Sequence, residues 1–367
     1  MHSLYIHIPF CDKKCFYCSF VVTVGQLKRA DQYIDALKKE ALGYRGVEIK
    51  SIYLGGGTPT TLNIHQINDL MRFIKNNFKI NHHVEFTIEA NPEGLDLEKL
   101  IALRDLGVNR ISLGIQTFRD DYLKYLGRIH SREKAIESFH LIRRAGFKNV
   151  SCDLMISFPD QTKEQLMEDL DNMISLNSEH ISLYSLTIEP NSRFYTKNVQ
   201  PLDADTQAEH FQIVLEYTKK HGYGQYEVSN FAKKGYESLH NMNYWECGDY
   251  LGLGVSAHSH IQGKRFQNVD RFSDYLKMAE ENNLQPVSTE TLSSQERLKE
   301  ALLFGLRMAK GIDLPKLEEK YGCVLESHRK DMIDHFIQEG LLVFQNGHLK
   351  TTHRGMMVLD ELCTRLY

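Results

Sequence analysis

Cys11, Cys15 and Cys18 stand close together in the run Tyr5-Ile6-His7-Ile8-Pro9-Phe10-Cys11-Asp12-Lys13-Lys14-Cys15-Phe16-Tyr17-Cys18. The spacing is C-x3-C-x2-C, with an aromatic directly before the last cysteine. Thiolates are soft ligands that suit zinc or iron–sulfur clusters. A structural zinc site wants a fourth Cys or His nearby, and His7 is too close to Cys11 to serve. A disulfide reading leaves one cysteine over. A [4Fe–4S] cubane has four irons, each usually taking one cysteine. Three ligands leave one iron open, where a small molecule can bind and receive an electron. The spacing favours this cluster.

Further polar and glycine signals follow short apolar runs. Gly55-Gly56-Gly57-Thr58-Pro59-Thr60 follows a strand at Ser51–Leu54, and Glu89 follows one at His83–Ile88. Gln116 closes Arg110–Ile115, Asp153 lies in Val150–Ile156, and Tyr184–Glu189 closes His180–Leu186. Leu4–Ile8 alternates as a strand and feeds the cysteines directly. Helical spacing occupies residues 26–43, 64–78, 97–106, 131–145 and 163–176, and Gly107 and Gly146 stop two of these helices. Strand and helix thus alternate six times within residues 1–190, which predicts an α/β fold with a parallel sheet. Six units suggest a partial barrel, and such folds gather functional residues where strands end. Taken alone, each signal has a plain reading: a tight turn, a loop cap or a helix anchor.

Residues 191–294 are less regular and read as a barrel extension and connecting region. They hold a helix at Asp203–Lys219, a strand and its loop at Tyr226–Asn230, then His240-Asn241-Met242-Asn243-Tyr244-Trp245 with the only tryptophan. Gly252 and Gly254, at alternate positions before His258, predict backbone packed closely against something. Residues 295–367 read as helices at Glu296–Met308, Leu314–Tyr321, Leu325–Glu339 and Thr352–Arg365. An Asn346-Gly347 hairpin joins Leu341–Phe344 to His348–Lys350. That is a winged-helix-like unit. Residues 296–367 carry 11 Lys/Arg and 11 Asp/Glu, a balance that points to packing or partner docking rather than nucleic acid.

The whole chain has 367 residues and a net charge of −4, which gives no basic footprint for nucleic acid. No apolar run approaches a bilayer-spanning length. The opening strand leaves no room for a signal peptide, and an odd cysteine cluster suits a reducing cytoplasm. Cys152, Cys247, Cys323 and Cys363 have no partner spacing and read as small packing residues.

The cysteine motif, the glycine turn and the sixfold β/α pattern resemble the radical S-adenosylmethionine (SAM) superfamily. The resemblance implies a [4Fe–4S] cluster on Cys11, Cys15 and Cys18 whose open iron chelates SAM, in a partial (β/α)6 barrel. His7-Ile8-Pro9-Phe10-Cys11, Gly55–Thr60, Ser112-Leu113-Gly114-Ile115-Gln116, Leu126-Gly127-Arg128 and Asp153-Leu154-Met155 look like the oxygen-independent coproporphyrinogen III dehydrogenase group. Carried over residue by residue, the likeness implies Tyr5 and Tyr17 flanking the cluster and SAM, with Tyr17 near the adenine. Gly56, Gly57 and Thr58 would meet the SAM amino group, and Glu89 its ribose or methionine. Gln116, Arg128 and Asp153 would line the SAM-proximal cavity.

Two departures separate this chain from the dehydrogenase. Phe20 stands where that group has a fourth cysteine, and Cys11 lies near the start rather than after a long segment. In their place, His240-Asn241-x-x-Tyr244-Trp245 is similar to the signature of the related radical SAM haem chaperones, the HemW-like branch. That resemblance implies haem binding by His240, Asn241, Tyr244 and Trp245 and delivery of haem to acceptor haemoproteins. It also implies a cytoplasmic protein working at the inner face of the membrane, without the dehydrogenase activity. Haem iron commonly takes an axial His, and Tyr and Trp offer flat faces for a porphyrin. His240 is then the axial ligand, with His258 a rival and Met242 a weaker one. The same residues also read as a core Trp beside a capping His-Asn pair, and His258 as a buried, hydrogen-bonded histidine.

Overall fold

Before residue 190 the polypeptide returns six times to one sheet. The strands are β1 (His2–Ile8), β2 (Glu48–Gly56), β3 (Lys79–Ala90), β4 (Arg110–Gln116), β5 (Val150–Ile156) and β6 (His180–Ser185). They lie in chain order, all parallel. The structure is a computed structural model that describes residues 1–366. Helices fill the crossovers: α1 (Ala30–Ala41), α2 (Ile64–Asn77), α3 (Leu97–Asp105), α4 (Asp120–Leu126), α5 (Arg132–Arg144) and α6 (Lys163–Ser175). Parallel neighbours need such long connections because a tight turn cannot join them. Asn63 with Gln66, and Thr162 with Gln165, make reciprocal capping boxes that start α2 and α6. The fold is the expected α/β one with a mostly parallel central sheet. The short helix α4 has no sequence-based counterpart.

Side-chain alternation explains how the sheet encloses space. β4 is buried at all seven positions. Ile111, Leu113 and Ile115 join the main hydrophobic core, whereas Arg110, Ser112, Gly114 and Gln116 face a cavity. Inner residues of β2 to β6 line that same cavity. A flat sheet could not bring five strands onto one space, so the strands curl around it.

Residues after 190 complete both edges of this sheet. A hairpin of β7 (Gly224–Glu227) and β8 (Asn230–Ala232) adds antiparallel to β6. On the opposite side β9 (Tyr250–Leu253) runs parallel to β1, followed by antiparallel β10 (His258–Ile261), β11 (Lys264–Gln267) and β12 (Ser288–Thr291). Seven strands are therefore parallel, and β1 has a parallel partner on each side. The expected strand and loop at Tyr226–Asn230 are the end of β7 and the turn into β8. The Glu227 carboxylate closes it by accepting the Ser229 N–H at 3.2 Å. The close approach predicted at Gly252 and Gly254 is present: a Cβ on Gly252 would lie 2.2 Å from the His258 carbonyl oxygen, and one on Gly254 2.4 Å from the Tyr33 hydroxyl.

Leu298, Leu302, Leu306, Phe336, Leu349 and Leu362 belong to a second hydrophobic cluster within residues 298–366. It is built by helices Ser294–Leu306, Leu314–Tyr321 and Ser327–Gln338 and by the hairpin Leu342–Gln345/His348–Thr351. The expected last helix is two helices, His353–Met357 and Leu359–Leu366, because the backbone leaves helical geometry at Val358.

Candidate functional site

The cysteine loop leaves β1 at the strand end and lies over the mouth of the enclosed cavity, which holds about 440 Å³. Cys11, Cys15 and Cys18 line it together with Tyr17, Gly56, Gly57, Thr58, Glu89, Gln116, Arg128 and Asp153. Tyr5 is not on the wall: its hydroxyl donates to His7 Nδ1 at 3.0 Å and its ring stacks on Tyr53. The glycine turn fits against the cysteine loop backbone to backbone. Gly57 N–H donates to the Ile8 oxygen and Thr58 N–H to the Phe10 oxygen, each at 2.8 Å. A Cβ on Gly57 would sit 2.6 Å from that Phe10 oxygen, so only glycine allows the two segments to meet.

Polar bonds fix the thiols. Cys11 Sγ is 3.6 Å from the Thr58 hydroxyl, which also accepts from Asn91 Nδ2 at 2.9 Å. Arg128 donates to Cys15 Sγ at 3.6 Å while its other nitrogen holds Asn91 Oδ1 and the Gly114 oxygen, both at 2.8 Å. Burial pushes the Cys11 thiol up to about 11, and the Thr58 bond only partly offsets it. Metal binding is what turns such a buried thiol into a thiolate. Deeper in, Glu89 accepts the Tyr53 hydroxyl at 2.8 Å and the Gly56 N–H at 3.0 Å, yet burial raises its carboxyl to about 7. Asp153 is also pushed up by burial and accepts from Ser112 and Ser151.

The donor set fits a cluster and a polar ligand. Three free thiols share one wall. Gln116 ends β4 at φ +72°, a conformation L-residues rarely adopt, and its buried Oε1 has no partner. Thr87 Oγ1, buried on the same cavity, is also unpartnered. Backbone strain and orphaned acceptors at one cavity mark a place for a ligand with donors.

Residues 5–173 match the model of the Radical SAM superfamily, and residues 292–358 that of the HemN C-terminal domain. Heme chaperone HemW of Bacillus subtilis is 37% identical over 371 residues, covering 99% of this chain and 98% of the relative. Heme chaperone HemW of Lactococcus lactis is 34% identical, covering 96% of this chain and 94% of that protein. The chain belongs to the HemW family of radical SAM proteins. Among solved structures, the radical SAM enzyme coproporphyrinogen III oxidase (HemN) from Escherichia coli superposes with a TM-score of 0.88. It is 25% identical and covers 99% of this chain and 89% of its own.

The HemW-like residues 240–245 lie on one helix, α7 (Leu239–Trp245), but reach three surroundings. Asn241 lines the cavity. His240 is buried beneath it, between hydroxyls. Ser51 gives its own proton to Ser3 at 2.7 Å, so His240 Nδ1–H donates to Ser51 at 2.9 Å. His240 Nε2 then accepts the Tyr244 hydroxyl at 2.9 Å. Burial pushes the imidazole down to about 3, which keeps it neutral. Trp245 turns away to Phe304, with the Arg307 guanidinium 5.2 Å from its ring centroid. His258 is exposed at the start of β10, not buried as one sequence reading had it, because the inward positions there are Ser259 and His260.

Several cavity residues carry no motif. Arg110, Ser151 and Ser182 line it. The signal that could have found them is their alternation: polar residues at every second position of otherwise apolar strands face inward together. Glu85, which holds the floor from β3, shares that alternation with Thr87 and Glu89, but its partners lie far along the chain.

Proposed function

We propose that this chain is a haem chaperone that carries a [4Fe–4S] cluster and SAM and passes haem to acceptor haemoproteins. The observation that carries the reading is the three-cysteine wall on an enclosed polar cavity, in a chain similar to HemW proteins along its whole length. Cys11, Cys15 and Cys18 would hold the cluster. Glycine carbonyls of the Gly56–Gly57 turn and the Thr58 hydroxyl offer acceptors for the SAM ammonium. Glu89, Gln116 and Asp153 are acceptors for its hydroxyl and amino groups, and Tyr17 covers the mouth. When bound, the cluster supplies one electron and SAM a cleavable C–S bond. Arg128 meanwhile fixes Cys15 to the cavity wall through Asn91 and the Gly114 carbonyl.

Haem would take His240 once Tyr244 releases Nε2, with Asn241 and Tyr244 contributing on the same helix, while Trp245, turned to Phe304, lies outside that site. Delivery at the inner face of a membrane would be peripheral, since no helix among the described residues is long and apolar enough to cross one. The likeness to HemN favours a second reading, coproporphyrinogen oxidation. Phe20, 66% exposed at the cavity mouth, stands against it.

A haem titration of anaerobically reconstituted protein, with and without SAM, tests the proposal. Saturable binding with a shifted Soret band is expected. Conversion of coproporphyrinogen III at a catalytic rate would overturn it.

A further inference from the structure

Phe16 lies between two of the cysteines, and three cations close over its ring. Arg193 Cζ is 4.2 Å from the ring centroid, Lys13 Nζ 5.5 Å and Lys197 Nζ 5.8 Å. Lys14 adds a fourth exposed cation beside Lys13. Like charges at such separations repel, so the surrounding backbone must hold them together. Phe16 N–H donates to the Leu126 oxygen at 2.8 Å, and Phe194 N–H donates to the Phe16 oxygen at 2.9 Å. Gly127 lets the ring seat, since a Cβ there would come within 2.9 Å of it. The collar is thus bonded into the loop that carries the cysteines.

Among the described residues none of the four cations forms an ion pair with a carboxylate. The whole chain carries a net charge of −4, so the collar runs against the overall balance. Arg193, Tyr195 and Lys197 are exposed and lie off the cavity wall, whereas Lys13 and Lys14 are exposed where they line its mouth, and Tyr195 is 56% exposed. An exposed aromatic among unpaired cations has the composition of an interface for an acidic partner.

We propose that the collar of Lys13, Lys14, Arg193, Tyr195 and Lys197 around Phe16 docks a small acidic one-electron carrier protein against the cysteine loop. The proposal rests on the cluster reading of Cys11, Cys15 and Cys18. One electron leaves the carrier, for example a flavin passing from its two-electron-reduced to its one-electron-reduced form. The cluster gains that electron, and no bond forms or breaks. Residues 13 to 18 hold part of the collar and two of the ligands, so docking there brings donor and acceptor together.

The test compares wild type with Arg193→Glu/Lys197→Glu, both anaerobically reconstituted and matched for iron content. Cluster reduction is followed by its visible absorbance, with reduced flavodoxin as one donor and dithionite as the other. The flavodoxin-driven rate is expected to fall at least about tenfold in the variant, with the dithionite rate unchanged. Added salt should slow the wild type and leave the variant alone. Equal flavodoxin rates would overturn the proposal, as would equal slowing with both donors. A loss of haem affinity with flavodoxin reduction intact would also overturn it. If wild type takes up no cluster, the reading beneath fails, and calorimetric binding of flavodoxin to the two proteins still decides docking: equal affinities refute it. Arg193→Gln/Lys197→Gln serves the same comparisons should the charge reversal unfold the chain.

Discussion

Glu85 accepts the backbone N–H of His240 at 2.9 Å, and through that bond β3 holds the helix beneath the cavity. The same carboxylate accepts the Leu239 N–H at 3.2 Å and lies 3.8 Å from the Arg110 guanidinium. Acid, helix N-terminus and arginine are all buried. Glu85→Ala leaves one buried cation and two backbone donors unpaired, so it should destabilise the fold by about 3 kcal/mol. Urea unfolding midpoints would read this, and an unchanged midpoint would mean water replaces the carboxylate.

The Tyr244 hydroxyl occupies the His240 nitrogen that haem iron would need. Tyr244→Phe removes that competitor and should tighten haem binding by up to about tenfold, the weight of one hydrogen bond. His240→Ala should weaken it. Opposite signs in a Soret titration would identify His240 as the ligand; equal affinities in all three proteins would move the ligand elsewhere.

Cys15→Ala removes one thiol and the Arg128 contact to it. Iron content after anaerobic reconstitution should drop to background, with the circular dichroism spectrum retained because the loop lies outside the sheet. Wild-type iron content in the variant would refute the ligand assignment.

Glu40 is buried in α1, where it accepts from Gly254 N–H, Tyr275 and Asn268. Burial pushes its carboxyl from 4.5 up to about 7 despite those bonds. Between these values the folded chain keeps a proton that the unfolded chain has lost. Stability therefore falls as pH rises through this window, by about 1.4 kcal/mol per unit for each such group, and levels off above it. Glu89, also raised to about 7, adds to the slope. Buried His240, pushed down to about 3, gives the opposite slope up to its ordinary value of 6.5, so the comparison decides: from about pH 5 to about pH 8 the wild-type urea midpoint should lose ground relative to that of Glu40→Gln.

Gly127 adopts φ +75° and backs onto Phe16. Gly127→Ala should cost about 1 kcal/mol or more from the backbone alone and loosen the cysteine loop. Slower iron uptake at unchanged secondary structure would report it.

The alternation of strand and helix up to residue 190 was legible because each β/α unit carries its own local period. The same locality placed Gly57, Glu89 and Gln116 at or near strand ends and Asp153 within its strand, and these residues do line one cavity. Pairings that cross the chain were not legible. β9 joins β1 through Ser3 opposite Tyr250, and Glu85 meets His240. No local pattern in either partner announces such a contact. Residues 240–245 show the other limit: a contiguous motif reads as one face, but a helix turns Asn241 and Trp245 to different neighbours.

β1 lies between β2 and β9, with Tyr5 opposite both Tyr53 and Gly252. The ribosome makes one of these partners soon after β1 and the other only near residue 250. At about 5–20 residues per second, the strand that feeds the cysteine loop waits on the order of tens of seconds for its second neighbour. Until then the three thiols hang from a half-paired edge, open to oxidation. A cluster held by these thiols would be loaded on the completed chain, and the nascent one would need its thiols kept reduced.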